Sequence, residues 1–380
     1  MNLELNEEQK LLRKSVREFA ETEVRPLARE LDETGHFPRE LFKKAAELGL
    51  TGVAFLEAEG GAGFDHIAYT IVIEEISRCC ASTGVILSVQ NSLFCDPIHR
   101  FGTEEQKKKY LLPFTRGEKI GCYALTEPQA GSNAAALQTK AVKKGDKYIL
   151  NGTKAWITNG GVADAAIVYV NTDPAKGEKG ITAIVVEKGT PGFKVGKEEK
   201  KMGIHATACC ELIFSDCAVP EANCVGNEGE GYKVALSALD GGRIGIAAQA
   251  TGIAQGAFDA ALKYAQERMA FGHPIAQFQA IQFMLADMAT EIDAARLLVR
   301  KAAWKQDTGG RFSLEAATAK LFASEMATRV AHKAIQIHGG YGYSSEYPVE
   351  RAYRDARITE IYEGTSEIQR LVIAAWVLKG

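Results

Sequence analysis

The sequence has little that would tie it to a membrane or to nucleic acid. None of its 380 residues belongs to an apolar run near the roughly 20 residues that a membrane helix needs. The formal net charge is −3, so there is no excess of positive charge to bind nucleic acid or an anionic membrane. Residues Met1 to Glu4 lack the basic and apolar regions of a secretory signal and are too acidic for a transit peptide. We therefore expect a cytoplasmic protein with no membrane and no nucleic-acid partner.

The sequence also lacks the cysteine and histidine spacing of a metal site. Two pairs of its eight cysteines are adjacent in sequence, Cys79 with Cys80 and Cys209 with Cys210, which suits neither a small disulfide framework nor a Cys-x-x-Cys knuckle. The seven histidines form no close His-x-x-x-His pair. We expect buried thiols in a reducing compartment and no metal ion.

The hydrophobic pattern changes twice along the chain. Up to about residue 120 the apolar residues recur at helical spacing, and Asn6 with Gln9 predicts a capping box at the first helix. Short β-type runs follow, with turn signals at Lys144 to Asp146 and at Asn151-Gly152, where Asn-Gly predicts a hairpin. From residue 231 on, long helical segments return.

This order predicts an α+β multidomain protein. We expect an N-terminal α-helical domain at 1–120, a middle antiparallel β-barrel or sandwich at 121–230, and a C-terminal four-helix bundle at 231–380. The chain is longer than the roughly 250–300 residues at which a single core stops growing, so more than one domain is expected.

Several short stretches have the chemistry to hold a ligand, yet each also has an ordinary structural explanation. Tyr123 to Asn133 offers hydroxyls and backbone donors, or is a polar turn between domains. Trp156 and Thr158 are two residues apart, so both face one side of a predicted strand, where a planar cofactor could lie. The commoner position of a strand tryptophan is the core.

Three further stretches lie in or after predicted helices. Asp240 and Arg243 flank two glycines that cost about 1 kcal/mol each relative to alanine, and a ligand or an intrahelical ion pair at a kink explains them equally well. Arg268 complements the helix dipole by default, or binds a phosphate. Gly339 and Gly340 form a helix cap, or let the backbone approach a phosphate or a ring.

The last stretch places a carboxylate beside a glycine, at Glu363 and Gly364. Ser366 with Gln369 predicts a capping box at the start of the final helix. Taken alone, Glu363 is best explained as an ordinary surface acid in a joint between two helices.

Together and in this order, these stretches resemble the signatures of the acyl-CoA dehydrogenase family of flavoproteins, across essentially the whole chain. The chain looks most similar to the short-chain, butyryl-type bacterial members. The resemblance implies an enzyme that uses FAD to convert a short-chain acyl-CoA to the trans-2-enoyl-CoA. It also implies electron transfer to an electron-transferring flavoprotein and a homo-oligomer, usually a homotetramer, whose FAD sites are shared between subunits.

The resemblance also implies roles for individual residues. Glu363 matches the catalytic base, whose backbone N–H and a ribityl hydroxyl of FAD bind the thioester carbonyl oxygen. Ser132, Asp240, Arg243 and Gly364 match positions on the substrate side. The positions that match cofactor contacts are Tyr123, Leu125, Thr126, Gly131, Ser132, Trp156, Ile157, Thr158, Arg268, Phe271, Gln279, Gln336, Gly339, Gly340, Thr365 and Glu367.

Two residues depart from family patterns. Asn133 stands where aspartate is common, which changes a charge but not the contact of Ser132. Gly242 stands where isovaleryl-type members place their base, so Glu363 is the candidate that remains. Within the family the alternative is a short branched-chain enzyme for isobutyryl- or 2-methylbutyryl-CoA. Acyl-CoA oxidases are usually longer, and a nitroalkane oxidase-like member would carry aspartate as the base. Outside the family the alternative is a non-catalytic helical binding protein.

Overall fold

A computed structural model describes residues 4–379 of the chain. Helices come first, a β-sheet follows, and a helical bundle ends the chain, which confirms the expected fold class. Residues 1–3 and Gly380, which belong to the two predicted terminal domains, lie outside the described residues.

The N-terminal part consists of short helices, two of which, His66–Cys79 and Ala81–Ser88, are largely buried. Its first helix begins at the predicted capping box, because Asn6 Oδ1 accepts from Gln9 N at 2.8 Å and Gln9 Oε1 accepts from Asn6 N at 3.1 Å. The helices are α1 (Glu7–Phe19), α2 (Ala28–Thr34), α3 (Arg39–Glu47), α4 (His66–Cys79), α5 (Ala81–Ser88), α6 (Asp96–Phe101), α7 (Glu104–Gln106) and α8 (Leu112–Thr115), with a π-helical turn at Val89–Cys95.

The middle part is one sheet that does not close into a barrel. Its strands are β1 (Gly121–Ala124), β2 (Lys140–Lys144), β3 (Lys147–Ile157), β4 (Ala165–Asn171), β5 (Ile181–Glu187), β6 (Phe193–Glu198), β7 (Cys210–Pro220) and β8 (Cys224–Val225). Their order is β6-β7-β3-β2-β4-β5-β8, and β1 pairs with β4 in parallel. The expectation of a purely antiparallel domain therefore needs this correction.

One predicted hairpin is wrong and another turn is right. Asn151 and Gly152 lie inside β3, where the pairing with β7 shifts register at Gly152 and the glycine has φ +150°. A Cβ at Gly152 would lie 2.5 Å from Thr139 Oγ1, so this glycine permits a close approach within a bulged strand. The chain turns at 145–146 instead, between β2 and β3.

The C-terminal part is a helical bundle around one long central helix. Its elements are α9 (Gly231–Glu267), a hairpin of β9 (Met269–Ala270) and β10 (His273–Pro274), α10 (Gln279–Asp307), α11 (Ser313–His338), α12 (Pro348–Thr359) and α13 (Ser366–Val377). The bundle thus contains α12 in addition to the four helices expected from the sequence. Glycines let α4 approach α9 closely, since a Cβ at Gly252 would lie 2.3 Å from the backbone oxygen of Glu74 in α4.

No helix within residues 4–379 is both long enough and apolar enough to span a bilayer.

Candidate active site

Glu363 lies in the turn that joins α12 to α13. Its φ is +52° and that of Gly364 is +95°, so two successive residues adopt the left-handed conformation. For a non-glycine residue this conformation is unfavourable and persists only where surrounding contacts impose it. Ser366 N donates to Glu360 O at 2.9 Å and closes the turn.

The predicted capping box at Ser366 and Gln369 is wrong. Thr365 is the N-cap of α13, and its Oγ1 accepts from Ile368 N at 3.3 Å. The Gln369 amide does not turn back to cap the helix, because it donates to Gly364 O at 2.8 Å and to Glu363 O at 3.2 Å. This side chain therefore holds the turn rather than the helix end.

Two cations from neighbouring helices also hold the carbonyl groups of the turn. Lys320 Nζ on α11 donates to Gly364 O at 2.7 Å. Arg243 Nε on α9 donates to Glu363 O at 3.4 Å. Together with Gln369, these contacts supply the constraint that the left-handed conformation at Glu363 requires.

The Glu363 side chain is partly exposed, yet its carboxyl group has no polar partner in the described part of the chain. Its Oε2 is buried and makes no hydrogen bond to any of residues 4–379. A Cβ at Gly242 would lie 2.1 Å from this oxygen, so the carboxyl group occupies the space that the glycine leaves. Burial raises the pKa of Glu363 to about 8, and the positive charges of Lys320 and Arg243 oppose the rise. Such a carboxyl group is suited to exchange a proton near neutral pH.

The stretch from Asp240 to Arg243 had two explanations, a ligand or an intrahelical ion pair at a kink. Arg243 Nη1 pairs with Asp240 Oδ1 at 2.8 Å, so the intrahelical ion pair is present. Ser313 Oγ donates to the other carboxylate oxygen of Asp240. The helix is not interrupted at the pair, because α9 continues through these residues. Gly242 provides room, which the Glu363 carboxyl group fills.

The middle domain presents part of the first group of proposed cofactor contacts at its surface. Leu125 and Ile157 are buried instead, and the side chains of Tyr123, Thr126 and Thr158 are partly exposed. Gly131 and Ser132 are exposed, and nothing lies within 4 Å of a Cβ built at Gly131. Trp156 is 56 % exposed with φ +61°, so its position in the core is excluded. The register of β3 shifts beside it, between Lys154 and Ile157, so regular strand alternation does not determine which way it faces.

A buried ion pair supports this surface from below. Lys154 and Glu127 have side-chain exposures of 0 % and 1 %, and Lys154 Nζ lies 2.7 Å from Glu127 Oε1. Lys154 Nζ also donates to Leu125 O at 3.0 Å, while Glu127 accepts from Gln138 N at 2.6 Å and Thr139 N at 2.9 Å. The pair therefore ties β3 to the stretch that follows β1. Burial lowers the pKa of Lys154 to about 8, although Glu127 opposes this shift.

We expect Lys154→Met to lower the free energy of unfolding by about 3–5 kcal/mol, because it leaves the Glu127 carboxylate buried without its cation. Denaturant unfolding of the apoprotein measures this. Lys143→Met is the matched control, since Lys143 pairs with Glu221 at the exposed surface and should change stability by at most about 1 kcal/mol. An equal, small loss in both variants would contradict the structural role of the buried pair. Adding Glu127→Gln to Lys154→Met should recover part of the loss.

The C-terminal bundle presents the second group of proposed cofactor contacts. The Arg268 guanidinium lies 5.5 Å from the centre of the Tyr341 ring, which brings it beside the turn of Gly339 and Gly340. Nothing lies within 4 Å of a Cβ built at either glycine. Phe271 is 93 % exposed in the hairpin that precedes α10. Gln279 and Gln336 are exposed as well.

Both surfaces fit the FAD that the family resemblance implies. An exposed tryptophan with nearby hydroxyls suits a planar ring system, and an arginine beside open glycine backbone suits a pyrophosphate. Within residues 4–379 no hydrogen bond or ion pair joins the Arg268 surface to the Glu363 turn.

Three residues that support the site have no site role predicted from the sequence, namely Lys320, Gln369 and Lys154. A signal existed for Lys320, because it lies on an otherwise apolar helix face with Ala316, Ala323 and Ala327. The sequence indicates Gln369 only as a capping-box partner, and Lys154 has no signal, since the partners that both residues have in the structure become neighbours only in the folded chain.

Comparisons with known proteins agree with this architecture. Models of the N-terminal, middle and C-terminal domains of acyl-CoA dehydrogenases match residues 6–118, 122–217 and 229–378. The short-chain specific acyl-CoA dehydrogenase of Clostridium acetobutylicum is 52 % identical over 379 residues, which is 100 % of both chains. Butyryl-CoA dehydrogenase from Megasphaera elsdenii superposes with a TM-score of 0.98 at 48 % identity, over 100 % of both chains. A chain from the structure of the electron transferring flavoprotein of Acidaminococcus fermentans superposes over 100 % of both chains, with a TM-score of 0.99 at 50 % identity.

Proposed function

The chain belongs to the acyl-CoA dehydrogenase family, and from this premise we propose that Glu363 is the base that removes the α-proton of the substrate. The protein is an FAD-dependent enzyme that oxidises a short-chain acyl-CoA to the trans-2-enoyl-CoA. Bound FAD supplies the acceptor for the hydride that leaves the β-carbon.

The observation that carries the assignment of the base is the buried carboxylate oxygen Oε2 of Glu363. An α-proton of a thioester is weakly acidic, so its removal needs a positioned base and a donor for the developing enolate oxygen. Oε2 has no polar partner among residues 4–379, and burial raises the pKa of the group to about 8. A base of this strength matches proton abstraction near neutral pH better than an exposed carboxylate does.

The backbone of the same turn offers the donor. The N–H of Glu363 donates to no acceptor among residues 4–379, whereas its carbonyl group is held by Arg243 and Gln369. We assign this N–H to the thioester carbonyl oxygen. One residue then supplies both groups, and the contacts that fix the turn fix their separation.

The remaining site assignments rest on the family match. Asp240 and Arg243 form the substrate side of α9. Gly364 is assigned to the same side by the family match, while the space beside it is taken by Gln369, whose Nε2 would lie 2.7 Å from a Cβ at Gly364. Ser132 faces the coenzyme A moiety. The cofactor contacts are the two exposed surfaces described above, completed by Thr365 and Glu367 in the first turn of α13.

Acyl-CoA is the substrate, and an electron-transferring flavoprotein accepts the electrons in this proposal, in line with the Acidaminococcus fermentans structure.

A homotetramer is proposed as well, because the exposed rings of Phe271 and Tyr343 leave apolar surface that a second subunit would cover. A cytoplasmic location is consistent with eight free cysteines.

The test is anaerobic reduction of the bound flavin by a series of acyl-CoAs. The purified protein should be yellow, and butyryl-CoA should bleach it at least about tenfold faster than octanoyl-CoA or the branched isobutyryl- and 2-methylbutyryl-CoA, because a pocket discriminates by roughly tenfold or more per misplaced methylene. Faster bleaching by a branched substrate would favour the branched-chain enzyme. A colourless protein that never reacts would favour a non-catalytic binding protein.

A further inference from the structure

Lys320 is a lysine buried in the middle of α11. Its relative exposure is 0 %, and alanines surround it on the same helix face. Among residues 4–379 its one hydrogen-bond acceptor is the carbonyl oxygen of Gly364 at 2.7 Å. Burying an ammonium group without a directly paired carboxylate is unfavourable, and an apolar side chain of similar size would pack there at lower cost. Packing alone therefore does not account for a lysine at this position.

We propose that Lys320 is a positioning residue for the dehydrogenation, because its ammonium group holds the Gly364 carbonyl and so keeps Glu363 in the left-handed conformation that directs its carboxyl group towards Gly242. The inference rests on the proposed role of Glu363 as the base. It adds a residue on another helix that acts through the turn.

The geometry explains how one contact can control the base. Glu363 and Gly364 both have positive φ, so the turn depends on outside contacts to keep its shape. The Gly364 carbonyl oxygen accepts from both Lys320 Nζ and Gln369 Nε2, while Arg243 reaches the carbonyl of Glu363 at the longer distance of 3.4 Å. Removing the lysine leaves the Gln369 contact in place. The turn should then remain folded but become less well ordered.

The same ammonium group also acts on Glu363 through its charge. Burial lowers the pKa of Lys320 to about 7, the Glu363 carboxylate raises it, and the Arg243 cation lowers it further. Lys320 in turn lowers the pKa of Glu363, and its effect is larger than that of Arg243. The other titratable groups that face this pair are Asp240, which is paired with Arg243, Glu360 and Glu367 near Lys320, and the buried phenols of Tyr69, Tyr123 and Tyr362 near Glu363.

The test compares Lys320→Met with Lys333→Met. Lys333 lies on the same helix and pairs with Asp287 and Glu291, away from the turn, so it controls for losing a lysine from α11. Each variant is purified with FAD, and its activity is normalised to bound flavin. The readouts are kcat, KM for butyryl-CoA, the pH midpoint of flavin reduction, and the φ of Glu363 in a crystal structure.

We expect Lys320→Met to lower kcat by about 10- to 100-fold, because a misplaced reacting group has effects of this size, with KM changed by less than about threefold. The pH midpoint should rise, since the base loses the side chain whose charge lowers its pKa most. Lys333→Met should match the wild type in all four readouts. Lys320→Gln, which keeps an N–H donor without the charge, should retain more of kcat than Lys320→Met and show a similar rise of the midpoint.

Wild-type kcat and midpoint in Lys320→Met would overturn the proposal. So would a loss of activity that follows flavin content alone, with an unchanged midpoint, because that would show a merely structural role. If Lys320→Met does not fold, the midpoint of Lys320→Gln decides in the same way. Failure of the wild type and Lys333→Met to bleach with butyryl-CoA would instead refute the proposed function.

Discussion

Glu363→Gln should lower the rate of flavin reduction by butyryl-CoA by about 10²–10⁴-fold, while the protein still binds FAD and acyl-CoA. The amide has nearly the shape of the carboxyl group but cannot accept the α-proton, and general-base catalysis typically contributes about 10²–10⁴-fold. The backbone N–H that we assign to the thioester is unchanged by the substitution. Binding should therefore survive, and stopped-flow bleaching separates it from chemistry.

Glu40→Gln is the control, because Glu40 is an exposed carboxylate on α3 that pairs with Lys43 far from the turn. It should reduce flavin at the wild-type rate. Bleaching of the Glu363→Gln variant within about tenfold of the wild type would contradict the assignment, since a general base is worth at least roughly 10²-fold.

The pH dependence of the wild type should report the same group. The carboxylate form of Glu363 is the active one, and burial raises the pKa of the group to about 8 in the free protein. Activity should therefore be lost as pH falls. Below pH 8 we expect kcat/KM to drop by about tenfold per unit, and above it to level off. In Glu363→Gln the residual rate should lose this dependence.

Local patterns predicted the element order well, because hydrophobic spacing reflects which face of a helix or strand is buried. The capping box at Asn6 is correct since both partners lie in one helix turn. The equally good pattern at Ser366 fails because the Gln369 amide is directed to the carbonyls of the preceding turn. A local motif is reliable only where no tertiary partner competes for its side chains.

The site shows the same limit. The family motif identifies Glu363. It does not show that the carboxylate oxygen Oε2 is buried, or that Lys320 binds the carbonyl group of the next residue. Both depend on α9 and α11, which are distant in sequence from the turn. Two glycines in α9 indicated that something lies close to that helix, but not that it is the carboxyl group itself.

Gly242→Ala should therefore damage catalysis far more than its size implies. A Cβ at this position would lie 2.1 Å from Glu363 Oε2 and 2.8 Å from Leu93 Cδ2, so the carboxyl group must move. Displacement of a reacting group by about 1 Å can cost on the order of 10²-fold in rate. We expect kcat/KM to fall by that amount while α9 stays folded, because alanine favours a helix over glycine by about 1 kcal/mol.

Gly241→Ala provides the matched control, since it makes the same change one residue away in the same helix. Its Cβ would meet only Gln306 Nε2 at 3.7 Å, which is ordinary contact. This variant should keep the wild-type kcat/KM and unfold at an equal or slightly higher denaturant concentration. Equal activity in both variants would show that the Glu363 carboxyl group can leave Gly242 without losing its function. A loss confined to Gly242→Ala would show that the base works from the space that this glycine provides.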